Sequence, residues 1–194
     1  MNAKLEQVLT AIDGANQADP KQEADDAGVM QPEAHLYGLR MTSELDRLIG
    51  DEASDVLSIA ARGQHIERWK LKRKEYPEGR AGYLQWRRDQ GRTHGERLAE
   101  LMAQAGYDAA DCARVGVLLR KEGIKRDPEV QQLEDVICFT FLKWYFAPFA
   151  AKHSEERVLD IVAKTARKMS DAARARVLIE FDMPGDLAAA VKVA

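Results

Sequence analysis

Residues 54–69 read SDVLSIAARGQHIERW. Val56, Ile59, Ala60, Gly63 and Ile66 or Glu67 recur along one side of this stretch at helical spacing. Ser54 stands ahead of them as a natural N-cap, so the pattern predicts a helix running to about Trp69. The same 3.6-residue period returns from end to end of the 194 residues, while alternating β-branched runs are hard to find. The expected fold is therefore all-α, a single-domain multi-helix bundle. Its helices are predicted within 2–17, 33–49, 54–69, 80–105 with a bend near Gly91, 108–121, 129–147, 154–169 and 171–181. Breakers mark loops at 20–31 and at 70–82, the latter an ordered loop around Pro77 and Gly79. The helix from Glu129 is apolar nearly all round, which places it at the centre of the bundle.

Composition narrows the class further. With 45% hydrophobic and 31% charged residues the chain is neither disordered nor of low complexity. Two cysteines, Cys112 and Cys138, make no disulfide framework, no Cys-rich zinc site and no C-x-x-C redox pair. The longest apolar run, 136–151, is interrupted by Lys143, carries Pro148 and falls short of the ~20 residues a bilayer requires. The opening MNAKLE has no apolar h-region, so a cytoplasmic protein without a membrane span is expected. No P-loop, G-x-G-x-x-G, H-E-x-x-H, G-x-S-x-G or EF-hand loop occurs.

Charge is concentrated in one segment. Residues 62–97 hold eleven bases and five acids, a net of +6, which leaves −9 for the rest of a chain whose total is −3. Arg62, Arg68, Arg73, Arg80 and Arg87 are interleaved there with Trp69, Tyr76, Tyr83 and Trp86. A guanidinium beside an aromatic face suits a phosphate attached to a stackable group, although a solvated face with aromatic stems over a loop would look the same. On the predicted helix, Arg62, His65 and Trp69 fall on one face, and His94 on the following helix is the natural second imidazole. Glu134 and Asp135 open the most apolar helix, where a buried carboxylate demands a cation, an imidazole or a metal, or else serves the helix dipole. Lys121 and Lys168, with Lys164 one turn before the latter, are further candidates for an anion site.

Arg62-Gly63-Gln64-His65-Ile66-Glu67-Arg68-Trp69, with Arg73, Tyr76-Pro77, Arg80, Gly82-Tyr83-Leu84, Trp86-Arg87 and His94, resembles the uncharacterised domain-of-unknown-function family 4202. Ala11-Ile12-Asp13, Asn16, Asp19-Pro20, Tyr37-Gly38, Arg40-Met41, Gln131, Leu133-Glu134-Asp135-Val136, Lys164-Thr165 and Lys168-Met169-Ser170 extend the resemblance over nearly the whole chain. It supplies no reaction. A more distant likeness is to the HD-domain metal phosphohydrolases, which implies an HD-like core over 54–182 after N-terminal helices in 1–50. His65 matches the first position of that pattern and Asp135 the last, while Arg88-Asp89 stands where a His-Asp dyad belongs. The likeness implies a divalent metal on His65, Asp89 and Asp135, a set one ligand short.

The expected function is a divergent HD-like phosphohydrolase acting on a nucleotide or other small phosphorylated metabolite. His65, His94, Glu134 and Asp135 carry the chemistry in that reading. Arg62, Arg68, Trp69, Arg73, Tyr76, Arg80, Tyr83, Trp86, Arg87, Lys121 and Lys168 hold the ligand. The alternatives are a non-catalytic phospho-ligand binding module and an RNA- or protein-interaction domain. The overall acidity speaks against a long polyanion.

Overall fold

The computed structural model describes residues 2–194 and contains ten α-helices and one two-stranded hairpin among them. The chain is thus all-α, as its periodicity requires. It is organised as two compact units, residues 1–122 and 123–194.

The first unit opens with α1, Ala3–Asn16, capped by the Asn2 side chain, which accepts from the Leu5 amide. The segment expected as a loop then forms a short antiparallel hairpin, β1 Gln22–Ala24 and β2 Met30–Pro32, with Gln22 opposite Pro32. Its tip is set by Asp25, whose Oδ1 accepts from the amides of Ala27 at 3.0 Å and Val29 at 2.9 Å, and by Gly28 at φ 80°. Two strands of three residues are too short to show alternation, which is why periodicity missed them. Next come α2, Glu33–Leu48, and α3, Asp55–Arg62, the latter with the expected Ser54 cap.

Helix α3 stops seven residues early. Gly63 lies beneath Leu98, and a Cβ there would sit 2.4 Å from that side chain. The chain then turns so that Ile66 enters the core, and Glu67 takes the left-handed conformation at φ 51°. Its amide is held by the Asn16 Oδ1 at 3.0 Å rather than by a helical carbonyl. Arg62, His65 and Trp69 therefore do not share a helical face.

From Gly79 to Gln104 a single 26-residue helix, α4, runs continuously through Gly91. Gly91 and Gly95 serve close approach to α5, Ala109–Arg120: a Cβ at Gly91 would meet the Leu119 carbonyl at 2.9 Å, and one at Gly95 the Gly116 Cα at 3.0 Å. Because the paired numbers run in opposite directions, α4 and α5 are antiparallel. Met41, Leu45, Leu57, Ile59, Leu98, Met102, Val115 and Leu118 form the buried interior of this unit.

In the second unit α6, Pro128–Thr140, is capped by Asp127 and gives way to a π-helical turn at Phe141–Tyr145 and a short α7, Phe146–Ala150, so the expected continuous helix to 147 is broken in register. Helices α8, Glu155–Lys168, and α9, Asp171–Glu180, carry the expected Ser154 and Ser170 caps. A last helix, α10, Gly185–Lys192, was not legible from periodicity. No helix among the described residues is long and apolar enough to cross a membrane.

Candidate anion site in the first unit

The turn at 64–71 is clamped by α4. The Gln90 Nε2 donates to the carbonyls of Arg68 and Leu71, both at 3.1 Å, and the Trp86 Nε1 donates to the Leu71 carbonyl at 2.9 Å. The Arg68 guanidinium lies over the Trp86 ring, 4.8 Å from its centroid. On the other side the half-buried His65 ring stacks on Tyr37 of α2, with centroids 3.7 Å apart and planes 18° from parallel. Residues 86, 87, 90 and 94 form one strip of α4 by helical spacing, which brings Arg87 and His94 to the same neighbourhood.

The electrostatics of this cluster are strongly positive. Burial, followed by the charges of Arg68, His94, Arg87 and Lys121, holds the His65 imidazole well below its usual range. His94, 3% exposed, is pushed down to about 4, first by burial and then by Arg68, against the opposing pull of the Ile66 backbone. Both ring nitrogens of His94 lack a hydrogen bond of good geometry, as do the Oε1 atoms of Gln64 and Gln90. Arg68 itself titrates lower than a free guanidinium because of burial and the proximity of Arg87, with Tyr37, Glu33 and Tyr83 acting the other way. Both imidazoles are thus neutral at pH 7, in a setting where positive charge predominates.

Other arginines of the basic segment have structural work. Arg62 makes a paired contact with Asp13, Nε to Oδ1 at 2.7 Å and Nη2 to Oδ2 at 2.6 Å, and reaches Thr42 at 3.2 Å. It joins α3 to α1 and α2, and Asp13 also faces His35 at 3.6 Å. Arg73 donates to the carbonyls of Tyr76 at 3.1 Å and Gly79 at 3.4 Å, fastening the loop to the start of α4. Tyr76 spends its hydroxyl on Asp89 at 3.0 Å, and Asp89 also faces Arg92 at 3.9 Å. Arg80 is solvent-exposed, Trp69 is half-buried, and Tyr83 is 44% exposed with its ring tilted against Trp86 at 6.0 Å. Lys121 is the left-handed cap of α5.

Glu134, Asp135 and Lys168 lie in the second unit and form a network of their own. Asp135 accepts from the Ser170 amide at 2.8 Å, the Ser170 hydroxyl at 2.7 Å and Gln131 at 3.0 Å. Burial raises its carboxyl despite these bonds. The buried Glu134 has the Lys168 ammonium at 3.7 Å. The Gln131 side chain also donates to the Lys168 carbonyl at 2.9 Å, and Lys125 to that of Met169 at 2.5 Å, so these groups fasten the α8–α9 junction to α6. Among the described residues no group of three or more His, Cys, Asp or Glu side chains could hold a metal ion.

Four contributors escaped sequence reasoning: Tyr37, which carries His65; Asn16, which sets the turn; Gln90, which clamps it; and Glu33, a carboxylate whose charge acts on Arg68. Tyr37-Gly38 held a usable signal, since a Cβ at Gly38 would stand 2.7 Å from the Arg62 carbonyl and the glycine lets α2 come that close. No curated protein and no solved structure matches the chain. A family model does match residues 6–191, which include both the His65–Arg68 turn and the Asp135–Ser170 network, and the chain therefore belongs to the family described as Domain of unknown function (DUF4202).

Proposed function

We propose that the first unit binds a small phosphorylated ligand at Arg68 and Arg87, beside His65. One observation carries this reading. Among the described residues neither guanidinium has a carboxylate within ion-pair distance, whereas Arg62, Arg92, Arg97 and Arg120 each have at least one. Like charges gathered without a counter-charge destabilise the folded chain, and an anion that offers several oxygens to paired N–H donors relieves that repulsion. The exposed Tyr83 is available to the remainder of the ligand.

A second reading, hydrolysis of the bound phosphoester, rests on His65. Its ring is half-buried and makes no hydrogen bond, so a ring nitrogen is open to a water, while burial and the neighbouring cations lower its basicity. It would take a proton from water as the water oxygen attacks phosphorus. The ester oxygen would leave with the electrons of the broken P–O bond and acquire a proton from solvent. In its HD-like form this reaction would use a divalent metal on His65, Asp89 and Asp135. The donors do not fit such a site, because Asp89 is occupied by Tyr76, Asp135 by Ser170, and no three donors are grouped. No step is routed through a metal.

Thermal melts of the full chain with nucleotides and sugar phosphates test the binding. A ligand at a hundredfold excess over its Kd contributes about 2.7 kcal/mol, or roughly 5–10 °C in a chain of this length. Arg87→Ala should abolish the shift without lowering the unliganded Tm, since the exposed Arg87 holds no partner in the fold and its loss relieves the repulsion with Arg68. A panel that produces no shift for any phosphorylated compound rejects the proposal. Release of inorganic phosphate by the native chain, lost in His65→Gln with binding retained, separates hydrolysis from binding alone.

A further inference from the structure

We infer that the group recognised at this site is a terminal phosphate carrying two negative charges, a phosphomonoester end, and that internal phosphodiesters are refused. The inference rests on the phospho-ligand reading and adds a substrate class to it. Two guanidiniums from different elements supply the paired donors: Arg68 from the 64–71 turn, laid over Trp86, and Arg87 from the next position of α4. Lys121, whose charge also reaches His65, adds to the positive field. The Glu33 carboxylate acts on Arg68 from a distance beyond an ion pair and faces Lys21 at 3.7 Å, so it does not cancel the guanidinium pair. A guest with two charges matches two guanidiniums, whereas a diester with one leaves a guanidinium unmatched.

Oxygen count points the same way. Two guanidiniums that each engage through paired donors, approaching from two elements, call for three or more acceptor oxygens. A monoester terminus presents three non-bridging oxygens and a diester two. Of the aromatic faces beside the guanidiniums, only that of Tyr83 is largely exposed. Tyr37 is covered by His65, and one face of Trp86 by Arg68. Selectivity therefore resides in the phosphate and little in whatever it is attached to.

Titration calorimetry on the full chain at pH 7.5, with phenyl phosphate, methyl phenyl phosphate, inorganic phosphate and adenosine, decides this. Phenyl phosphate and inorganic phosphate should bind, the diester should be weaker by about tenfold or more, and adenosine should be silent. Arg87→Ala should remove most of the preference for monoester over diester, and Arg87→Lys should restore only part of it, because an ammonium replaces the charge without the paired donors. Equal affinity for monoester and diester, or adenosine binding as tightly as a phosphate, overturns the inference while leaving a ligand site in place. Absence of binding by every phosphorus compound overturns the underlying reading as well.

Discussion

His94 is a neutral imidazole held in the interior with no hydrogen bond of good geometry to either nitrogen, and its pH behaviour follows. In the unfolded chain it titrates near the ordinary 6.5, in the folded chain near 4, so between these values the unfolded state binds more protons. Stability is therefore lost as pH falls through this window, by about 3 kcal/mol from this side chain, with His65 acting in the same direction. Urea midpoints measured from pH 7 to pH 4 should drop accordingly, and His94→Leu should flatten the profile. At Asn16 the expectation concerns position rather than charge. Asn16→Ala removes the acceptor of the Glu67 amide and the donor to the Ala34 carbonyl, at a cost of about 1–3 kcal/mol by urea denaturation. Asn16→Asp, which keeps the acceptor, should lose less. The two histidines were legible in the sequence because imidazole in a basic, aromatic stretch stands out by type. The roles of Arg62 and Asn16 were not, since the partners that define them, Asp13 and Glu67, lie about fifty positions away in each case.

At the scale of elements, glycines and caps decide which helices meet. A Cβ at Gly82 would lie 1.9 Å from the Pro77 carbonyl, so Gly82→Ala must push the 71–78 loop off the start of α4. A loss of about 1–3 kcal/mol is expected, together with weaker phosphate binding, because that loop continues directly from Leu71, the shared acceptor of Trp86 and Gln90. In the second unit Ser170 both caps α9, accepting from the Ala173 amide at 3.1 Å, and donates to Asp135. Ser170→Ala should cost about 1–3 kcal/mol through the lost cap and an under-satisfied carboxylate, and Ser170→Thr should recover most of it. Helix existence was legible from periodicity, and Ser54, Ser154 and Ser170 marked starts that the structure places where they were expected. The end of α3 was not legible, because a periodic pattern continues through His65 and Ile66 while the backbone leaves the helix to deliver Ile66 to the core.

Over the whole molecule the net charge of −3 conceals a segment of +6, and the structure sorts that segment into neutralised and available charge. With only a few phosphate contacts, affinity for a phosphomonoester should fall modestly between 50 and 300 mM salt. A steep decline of the kind long polyanions show would mean that the exposed cations around Arg80 and Arg88 engage a larger partner.

Amphipathic period, caps and composition are local properties, and by themselves they determined that this chain is helical and where most helices begin. They also placed the aromatic and basic chemistry between residues 62 and 97. Which of the candidate side chains are available to a ligand was decided only in three dimensions. Arg62 is consumed by Asp13, Tyr76 by Asp89 and Asp135 by Ser170, while among the described residues Arg68 and Arg87 have no carboxylate within ion-pair distance. A side chain's availability depends on what distant segments bring against it, and hydrophobic periodicity carries no record of those pairings.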